Sequence, residues 1–213
     1  MSWSRDRGGR DSYHHGNLRE ALIEMALALI AEKGPAGFTF AEVARGAGVS
    51  PAAPYRHFRD RAALLAEIAR RGFERFEAEL ARAWADGRPE PVAALIACGR
   101  AYLRFVRAEP AYYVTMFETG LPLETETDLP RAGERAFAVL RRAAEAVCAR
   151  MPAAGRPPAL MVALHVWSMS HGIASLFLGA GNAARRLLPM EPEDLLEAGV
   201  LIYLGALGVP GAR

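Results

Sequence analysis

The sequence predicts an all-α protein of about nine helices, with a small N-terminal domain joined to a larger helical domain. Apolar residues recur at three- and four-residue steps along most of the chain, which is the spacing of one helix face. The alternating pattern of a β-strand is not found in any convincing run. Proline and glycine clusters separate the helical stretches, and a chain of 213 residues with 52% hydrophobic residues is long enough to bury a sizeable core.

The N-terminal region begins with a polar, glycine-containing stretch at 1–15, which is predicted to be a flexible basic arm. The first helix is expected at 17–33, because a Gly-Pro pair ends the apolar pattern there. Thr39 is the predicted N-cap of a second, short helix, and Glu42 stands where the partner residue of a capping box is found. Gly48 is the predicted C-terminal stop of that helix.

A third helix is predicted after this glycine turn, in the stretch AGVSPAAPYRHF at 47–58. Ser50 is a good N-cap, and Pro51 takes the first helical position, where a missing N–H removes no helical hydrogen bond. Pro54 falls at the end of the first turn and removes about one internal hydrogen bond. Two helices joined by a tight turn form the helix-turn-helix geometry, which places the start of the second helix in the major groove of DNA.

The composition of this third helix suits contact with a duplex. Ala52 and Ala53 are short enough for the backbone to approach the bases, and their methyl groups can touch thymine methyls. Tyr55, Arg56 and His57 carry polar atoms that can reach phosphates or base edges. The same spacing also fits a plain helical hairpin whose polar residues face solvent.

The rest of the chain is predicted to form six further helices. Their expected limits are 60–84, with Asp60 as the N-cap, and then 91–108, 110–118, 131–151, 159–178 and 193–207. The stretch 157–184 carries no Asp, Glu, Lys or Arg and is long enough to span a bilayer. Its Ser, His, Gly and Asn residues favour instead a helix buried in a bundle or in a dimer interface.

The stretch FTFAEVARGAGVSPAAPYRHFRDRAALLAEI resembles the helix-turn-helix of the TetR family of transcriptional regulators. The matching features are Thr39, the turn at 47–50, the Tyr55-x-His57-Phe58 end of the third helix and the pair Leu64-Leu65. In that family the matching threonine and tyrosine contact phosphates, as does a basic residue at the start of the fourth helix. The resemblance implies phosphate contacts by Thr39, Tyr55 and Arg61, with His57 beside them. Together with Ser50, Ala52, Ala53 and Arg56 these residues form the predicted DNA interface.

The resemblance also implies the organisation of the chain into the arm at 1–15, a DNA-binding domain at 16–76 and an effector-binding and dimerisation domain at 77–213. Ala41, Ala52 and Pro54 depart from the longer or more polar side chains of relatives, so Arg56 and methyl contacts are expected to carry more of the sequence reading. Dimerisation is expected through the last two helices, with the small residues Ala163, Ser170, Ala174 and Ala206 and the apolar residues Leu195, Leu196, Ile202 and Leu204.

The larger domain carries a second resemblance, in AYLRFVRAEPAYYVTMFETG and HVWSMSHGIASL, to the TetR subfamily named for its Trp, His and Gly, here Trp167, His171 and Gly172. Trp167 and His171 are four residues apart and share one helix face, and Gly172 permits a close helix approach. The family pattern implies an effector pocket with the candidate lining residues Phe105, Tyr113, Met116, Phe117, Trp167 and His171. A packing motif without ligand contact is an equal alternative.

Other function classes find little support in the sequence. The net charge of +2 is too small to indicate nucleic acid or membrane binding by itself. Cys98 and Cys148 are far apart in the sequence and are expected to be buried, reduced thiols. His165 and His171 fall on different helix faces, which argues against a metal pair. Neither a metal site nor a cofactor is expected. The letters GAGNAA follow a predicted helix rather than a strand, which argues against a dinucleotide site. With no nucleophile motif, the chain is predicted not to be an enzyme.

The sequence therefore predicts a cytoplasmic, homodimeric DNA-binding regulator that does not associate with membranes. It is expected to repress from a palindromic double-stranded operator and to release that operator when a small-molecule effector binds the larger domain. The alternative is an all-α small-molecule-binding or interaction protein without operator binding.

Overall fold

The computed structural model describes residues 18–120, 128–177 and 190–212, which form eight α-helices and two short 3-10 helices. The α-helices are α1 (Leu18–Lys33), α2 (Phe40–Gly46), α3 (Arg61–Trp84), α4 (Pro91–Ala108), α5 (Pro110–Phe117), α6 (Leu129–Ala149), α7 (Ala159–Phe177) and α8 (Pro192–Ala206). The 3-10 helices are Pro54–Arg56 and Ala85–Gly87. No strand is found over these ranges, and the all-α prediction is confirmed. The predicted arm at 1–15 lies outside the described residues.

The chain divides into two compact units, and the boundary between them lies between Leu65 and Ala66, inside α3. The described part of the first unit contains α1, α2, the first 3-10 helix and the start of α3. The second unit contains the rest of α3 and the helices α4 to α8. The domain boundary expected from the sequence, at 76, lies later in the same helix.

The start of α2 is fixed by the predicted capping box. Thr39 Oγ1 accepts a hydrogen bond from the Glu42 N–H over 3.2 Å, and the Glu42 carboxylate accepts one from the Thr39 N–H over 2.7 Å. Lys33 at the end of α1 also donates to this carboxylate, over 2.9 Å. The hydrogen bond from Lys33, followed by those from Thr39, lowers the pKa of Glu42 to about 2. Gly48 follows α2 with a φ of 71°, the left-handed conformation that favours glycine after a helix.

The third helix predicted at 51–58 is not an α-helix, and this part of the prediction is wrong. The segment forms a turn that leads into the three-residue 3-10 helix Pro54–Arg56. The Ala53 N–H donates to the Ser50 carbonyl over 2.9 Å, which is a bond between residues three apart. Pro54 has no N–H to donate to that carbonyl, so the α-helical ladder cannot continue from Ser50. The tighter 3-10 pattern replaces it.

Helix α4 lies at the centre of the second unit and contacts α5, α6, α7 and α8. Leu95 and Leu103 on α4 are completely buried. Arg107 near the end of α4 forms two hydrogen bonds with the Glu193 carboxylate at the start of α8, over 2.6 and 2.9 Å. Side chains of α3, α6 and α7 lie on one side of α4, and together with side chains of α4 they enclose a cavity.

Helix α7, formed by the uncharged stretch, is only partly buried by the rest of the chain. By length and composition it could cross a membrane, and 28% of its most apolar 18-residue stretch is buried by the rest of the chain. Leu160, Leu164 and Leu176 are all exposed. Beyond its two chain neighbours and the nearby backbone of α7 itself, no described atom lies within 4 Å of the place that a Cβ on Gly172 would take, so the predicted close approach at Gly172 is not made by the described residues. An exposed apolar face therefore runs along α7.

Several residues predicted for a dimer interface are buried inside the second unit instead, namely Ala163, Ser170, Ala174, Leu196 and Leu204. The reason is the helical period: Leu196, Val200 and Leu204 recur every four residues on the buried side of α8, which contacts α4 and α7. Ile202 lies off that side and is 74% exposed. It stays available to a second copy of the chain.

Candidate nucleic-acid interface and ligand cavity

Two buried residues hold the segment 50–58 in the first unit. Pro54 is buried, and so is Phe58, whose ring centre lies 5.2 Å from the guanidinium carbon of Arg19 on α1. The predicted DNA-contacting residues around these two anchors are exposed: Thr39, Ser50, Ala52, Tyr55, Arg56 and His57, with Ala53 half-buried. The segment is thus anchored by its apolar residues and presents its polar residues to solvent.

Tyr55 and Arg56 are the two longest polar side chains on this exposed surface. The Tyr55 ring packs against the buried ring of Phe40, the first residue of α2, while 61% of the residue stays exposed. Arg56 ends the 3-10 helix and is exposed as well. This arrangement suits a fixed tyrosine hydroxyl and a freely extending guanidinium, which are the groups that position and read a duplex.

Arg61, the predicted phosphate contact at the start of α3, makes contacts inside the first unit. Its Nη2 donates to the Pro35 carbonyl, and its guanidinium carbon lies 4.6 Å from the centre of the Phe38 ring. Its Nε is buried and has no partner among the described atoms. The guanidinium therefore ties the start of α3 to the loop between α1 and α2.

A cavity of about 280 Å³ lies within the second unit. Its wall consists mainly of aromatic and aliphatic side chains from α3 to α7: Phe73, Phe76, Leu80, Cys98, Gly99, Tyr102, Phe117, Leu129, Pro130, Gly133, Glu134, Ala136, Phe137, Leu140, Val166, Trp167 and Ser170. This size and composition are near those of sites for small apolar molecules.

The structure brings two of the six predicted pocket residues, Phe117 and Trp167, into the wall of this cavity. Phe105, Tyr113, Met116 and His171 are not in the wall. Phe105 is buried against Phe76, with ring centres 5.1 Å apart, and Met116 packs on the cluster of Ala66, Ala69 and Leu129. The side chains of Tyr113 and His171 lie behind the wall, in a hydrogen-bonded group.

That group joins four residues of α4, α5 and α7. The Tyr102 hydroxyl lies 2.9 Å from His171 Nδ1, and the Tyr113 hydroxyl lies 3.3 Å from the same atom. The Trp167 side chain donates a hydrogen bond to the Tyr102 hydroxyl. Burial raises the pKa of Tyr102 and raises that of Tyr113 to about 12, so both hydroxyls stay protonated at neutral pH. The four side chains thus satisfy one another's hydrogen-bonding groups behind the cavity.

Sequence reasoning missed the cavity residues on α3 and α6. Phe73, Gly133, Glu134 and Phe137 carry no motif, and only the packing of distant helices brings them to one wall. Tyr102 was also missed, although it lies within the stretch that resembles a ligand-binding region. Its spacing from Tyr113 and His171 gives no signal, because the three residues come from three different helices.

Groups of side chains that could hold a metal ion are not found among the described residues. His165 on α7 stacks on the Tyr203 ring of α8 instead, with ring centres 4.9 Å apart and an interplanar angle of 25°. His171 is bound to the two tyrosines. The two histidines of α7 are therefore engaged with aromatic neighbours.

Two family models match the sequence. Residues 95–202, about half of the chain, match the tetracyclin repressor-like C-terminal domain. Residues 22–68, in which the segment 50–58 lies, match the bacterial regulatory proteins of the tetR family. No curated protein matches the chain.

Solved structures share the fold over nearly the whole chain. A protein of unknown function from Rhodococcus sp. RHA1 is 30% identical, with a TM-score of 0.75 over 92% of this chain and 98% of that one. The TetR family regulator PfmR from Thermus thermophilus is 24% identical, with a TM-score of 0.66 over 86% and 97%. A TetR-family regulator from Bordetella parapertussis is 21% identical, with a TM-score of 0.65 over 89% and 95%. The last two are similar in fold alone.

Proposed function

Because this chain belongs to the TetR family of bacterial regulatory proteins, we propose that it is a repressor whose operator is released when a small molecule enters the cavity of the second unit. Regulation by DNA binding is the function of the family, whose members are dimeric and bind small-molecule effectors. The family is not one of enzymes. Repression, release and the site residues are our proposals for this chain.

The observation that carries the proposal is the exposed polar surface on the segment 50–58. Its buried anchors Pro54 and Phe58 fix the segment, so the backbone that carries Tyr55, Arg56 and His57 needs no large ordering on binding. In our proposal Thr39, Ser50, Tyr55 and His57 position the phosphates. Arg56 and the methyl groups of Ala52 and Ala53 read the bases.

Arg61 has a different role in this proposal from the phosphate contact that the resemblance implies. Its guanidinium holds the Pro35 carbonyl and stacks on Phe38. It supports the interface by fixing the loop before α2, and its charge adds to the field that attracts DNA. The arm at 1–15 is proposed to follow the phosphates or to enter the minor groove, as basic arms of other DNA-binding proteins do.

The cavity is the proposed effector site. Phe73, Phe76 and Leu80 of α3 line it, and α3 is the helix that begins at Arg61 in the first unit. A ligand that displaces these three side chains therefore acts on a helix that both units share. Such a ligand shifts DNA affinity only by its differential affinity for the two states, typically about 1–3 kcal/mol. Membership of the Trp-His-Gly subfamily is part of this proposal, and the place of Trp167 in the cavity wall supports it.

Dimerisation is proposed through the exposed faces of α7 and α8. Leu160, Leu164 and Leu176 on α7 and Ile202 on α8 are exposed apolar side chains. Covering such side chains in a two-fold interface is the common way in which a dimer removes apolar surface from water. A two-fold dimer of this kind reads a palindromic operator with half-sites about 34–36 Å apart. A cytoplasmic location follows from this function.

A gel-shift titration with the DNA upstream of the chain's own gene tests the proposal. We expect the dimer of this chain to form a specific complex with that DNA, and we expect the complex to survive competition with unrelated DNA. A second candidate function is a small-molecule-binding protein without operator binding, which the short 3-10 helix in place of a recognition α-helix favours. Absence of a specific complex with upstream DNA supports that second function and contradicts repression.

A further inference from the structure

The cavity in the second unit offers a ligand very few polar partners. Its wall is formed by rings and aliphatic side chains on most sides, including Phe73, Phe76, Phe117 and Phe137. Burying hydrocarbon against such a wall is favourable, while burying an unpaired polar group is costly. The bulk of any occupant must therefore be hydrocarbon.

The polar side chains in the interior of the wall, those of Ser170, Trp167 and Tyr102, already have partners within the protein. Ser170 Oγ donates to the Val166 carbonyl over 2.9 Å, which is a helix-internal bond. The Trp167 indole donates to the Tyr102 hydroxyl, and that hydroxyl is in turn 2.9 Å from His171 Nδ1. An anionic head group needs several donors or a cation when it leaves water. Among the residues that the structure describes, the deep part of the cavity supplies neither, which disfavours carboxylates and phosphates there.

Among the described residues of the wall, Glu134 on α6 is the one that carries a charged side chain. It is exposed, so it lies at the rim of the cavity rather than in its interior. The two arginines near it on the helix are paired with other carboxylates. Arg131 Nη1 lies 3.5 Å from Asp128 Oδ1, and Arg135 Nε lies 3.0 Å from Glu77 Oε2. The rim therefore carries a negative charge next to a hydrocarbon interior.

We propose that the effector is a hydrocarbon-rich amine, whose apolar part fills the cavity and whose ammonium group lies against the Glu134 carboxylate at the rim. This inference rests on the proposed function, in which the cavity is the effector site. It goes further by assigning the chemical class of the ligand. Glu134 attracts the ammonium and repels the carboxylate of an otherwise identical molecule.

Three probes with one hydrocarbon chain and different head groups test the inference: octylamine, octanol and octanoate. Their binding to the full chain without DNA is measured by calorimetry at neutral pH and low salt. We expect octylamine to bind at least about tenfold more tightly than octanoate, with octanol between them, as expected for one opposite or like charge near a partly solvated carboxylate. Added salt should narrow the difference, because the rim is exposed to solvent.

Variants on α6 separate the charge of the rim from the cavity itself. In Glu134→Gln, octylamine should lose its advantage over octanoate, to within about twofold. Glu145→Gln is the matched control, since Glu145 is an exposed carboxylate of the same helix that is absent from the cavity wall, and it should keep the preference. A Cβ at Gly133 meets the Phe73 ring at 3.8 Å, so Gly133→Ala should be tolerated, whereas Gly133→Phe should block binding of all three probes.

Equal binding of octylamine and octanoate overturns the inference, and so does an octylamine preference that persists in Glu134→Gln. Failure of all three probes to bind overturns it as well. The gel-shift titration is independent of these measurements. If the probes follow the expected order but no operator complex forms, the assignment of the ligand class stands and the proposed repressor function fails.

Discussion

The ring of Tyr55 packs edge-on against that of Phe40, with ring centres 5.0 Å apart and an interplanar angle of 79°. This contact ties the 3-10 segment to the first residue of α2 and sets the direction in which the Tyr55 hydroxyl points. Edge-to-face pairs of this kind contribute about 0.5–1.5 kcal/mol beyond their burial. The ring and the hydroxyl of Tyr55 therefore have separable roles.

Tyr55→Phe should weaken binding to specific and unrelated DNA equally, because it removes a proposed phosphate contact and keeps the ring pair. The loss should be about 1.5–3 kcal/mol, the range for a hydrogen bond to a charged group. Gel-shift titrations with operator and unrelated DNA measure it. Tyr55→Ala should in addition lower the unfolding temperature. Unchanged affinity of Tyr55→Phe for both DNAs would remove the hydroxyl from the interface.

Arg56→Ala should lower the discrimination between operator and unrelated DNA by about 1–3 kcal/mol, provided that the guanidinium forms two hydrogen bonds to a guanine. Arg59→Ala is the neighbouring control, because the Arg59 guanidinium lies 3.1 Å from the Asp60 carboxylate. That variant should change affinity for both DNAs alike or not at all. If Arg56→Ala and Arg59→Ala discriminate equally well between operator and unrelated DNA, Arg56 reads no base.

The stability of the first unit should decline in acid through Glu42. Because its pKa is lowered from 4.5 to about 2 in the folded chain, its contribution is complete above pH 4.5 and is lost as the pH falls through about 2. Urea unfolding of the wild type and of Glu42→Gln measures this between pH 6 and pH 2. Glutamine keeps an acceptor for the capping box, so the difference between the two proteins should shrink towards pH 2. A difference that is constant over this range would contradict the lowered pKa.

Tyr102→Phe should lower the free energy of unfolding by about 1–3 kcal/mol, because it removes the buried acceptor of the Trp167 indole and the shorter of the two hydrogen bonds to His171 Nδ1. Tyr113→Phe is the matched control, since its hydroxyl lies farther from His171 Nδ1, at 3.3 Å, and should cost less. Denaturant unfolding measures both. Equal costs would mean that the hydrogen-bonded group is not centred on Tyr102.

Ile202→Glu should convert the dimer into a monomer, because it places a charge on a residue that is 74% exposed in the single chain and covered in the proposed interface. Sedimentation equilibrium at micromolar concentration measures the change. Ala93→Glu, at an exposed position of α4, should leave the dimer intact. A dimer that persists in Ile202→Glu would place the interface elsewhere.

Local chemistry made most of the helices predictable from the sequence. Thr39 and Glu42 fixed the start of α2, and the Asp60 carboxylate accepts a hydrogen bond from the Ala63 N–H over 2.8 Å at the start of α3, as an N-cap does. The segment after Ser50 was harder, because two prolines fit both an early helix turn and a 3-10 helix. The 3-10 helix forms because Pro54 has no N–H to donate to the Ser50 carbonyl, so the α-helical hydrogen bonds cannot continue from there.

The cavity was less predictable for a different reason. Phe117 and Trp167 lie in stretches with a recognisable pattern, but Phe73 and Gly133 face the cavity only because α6 and the aromatic side chains of α3 pack against α4. The burial of Leu196 and Leu204, which were expected in the dimer interface, was unpredictable for the same reason. Helical period indicates that Leu196 and Ile202 lie on different faces of α8, but it does not show which face another helix covers.

Both cysteines of the chain are buried, Cys98 at 1% exposure and Cys148 at 3%, and burial raises the pKa of Cys98 to about 12. Neither presents a thiolate to bulky maleimide reagents at neutral pH. A cysteine introduced at a solvent-facing position of the first unit, such as Arg59, is therefore labelled selectively without removal of the native pair. Two identical spin labels on a dimer would then report the separation of the two DNA-binding surfaces by electron paramagnetic resonance, with and without an added amine.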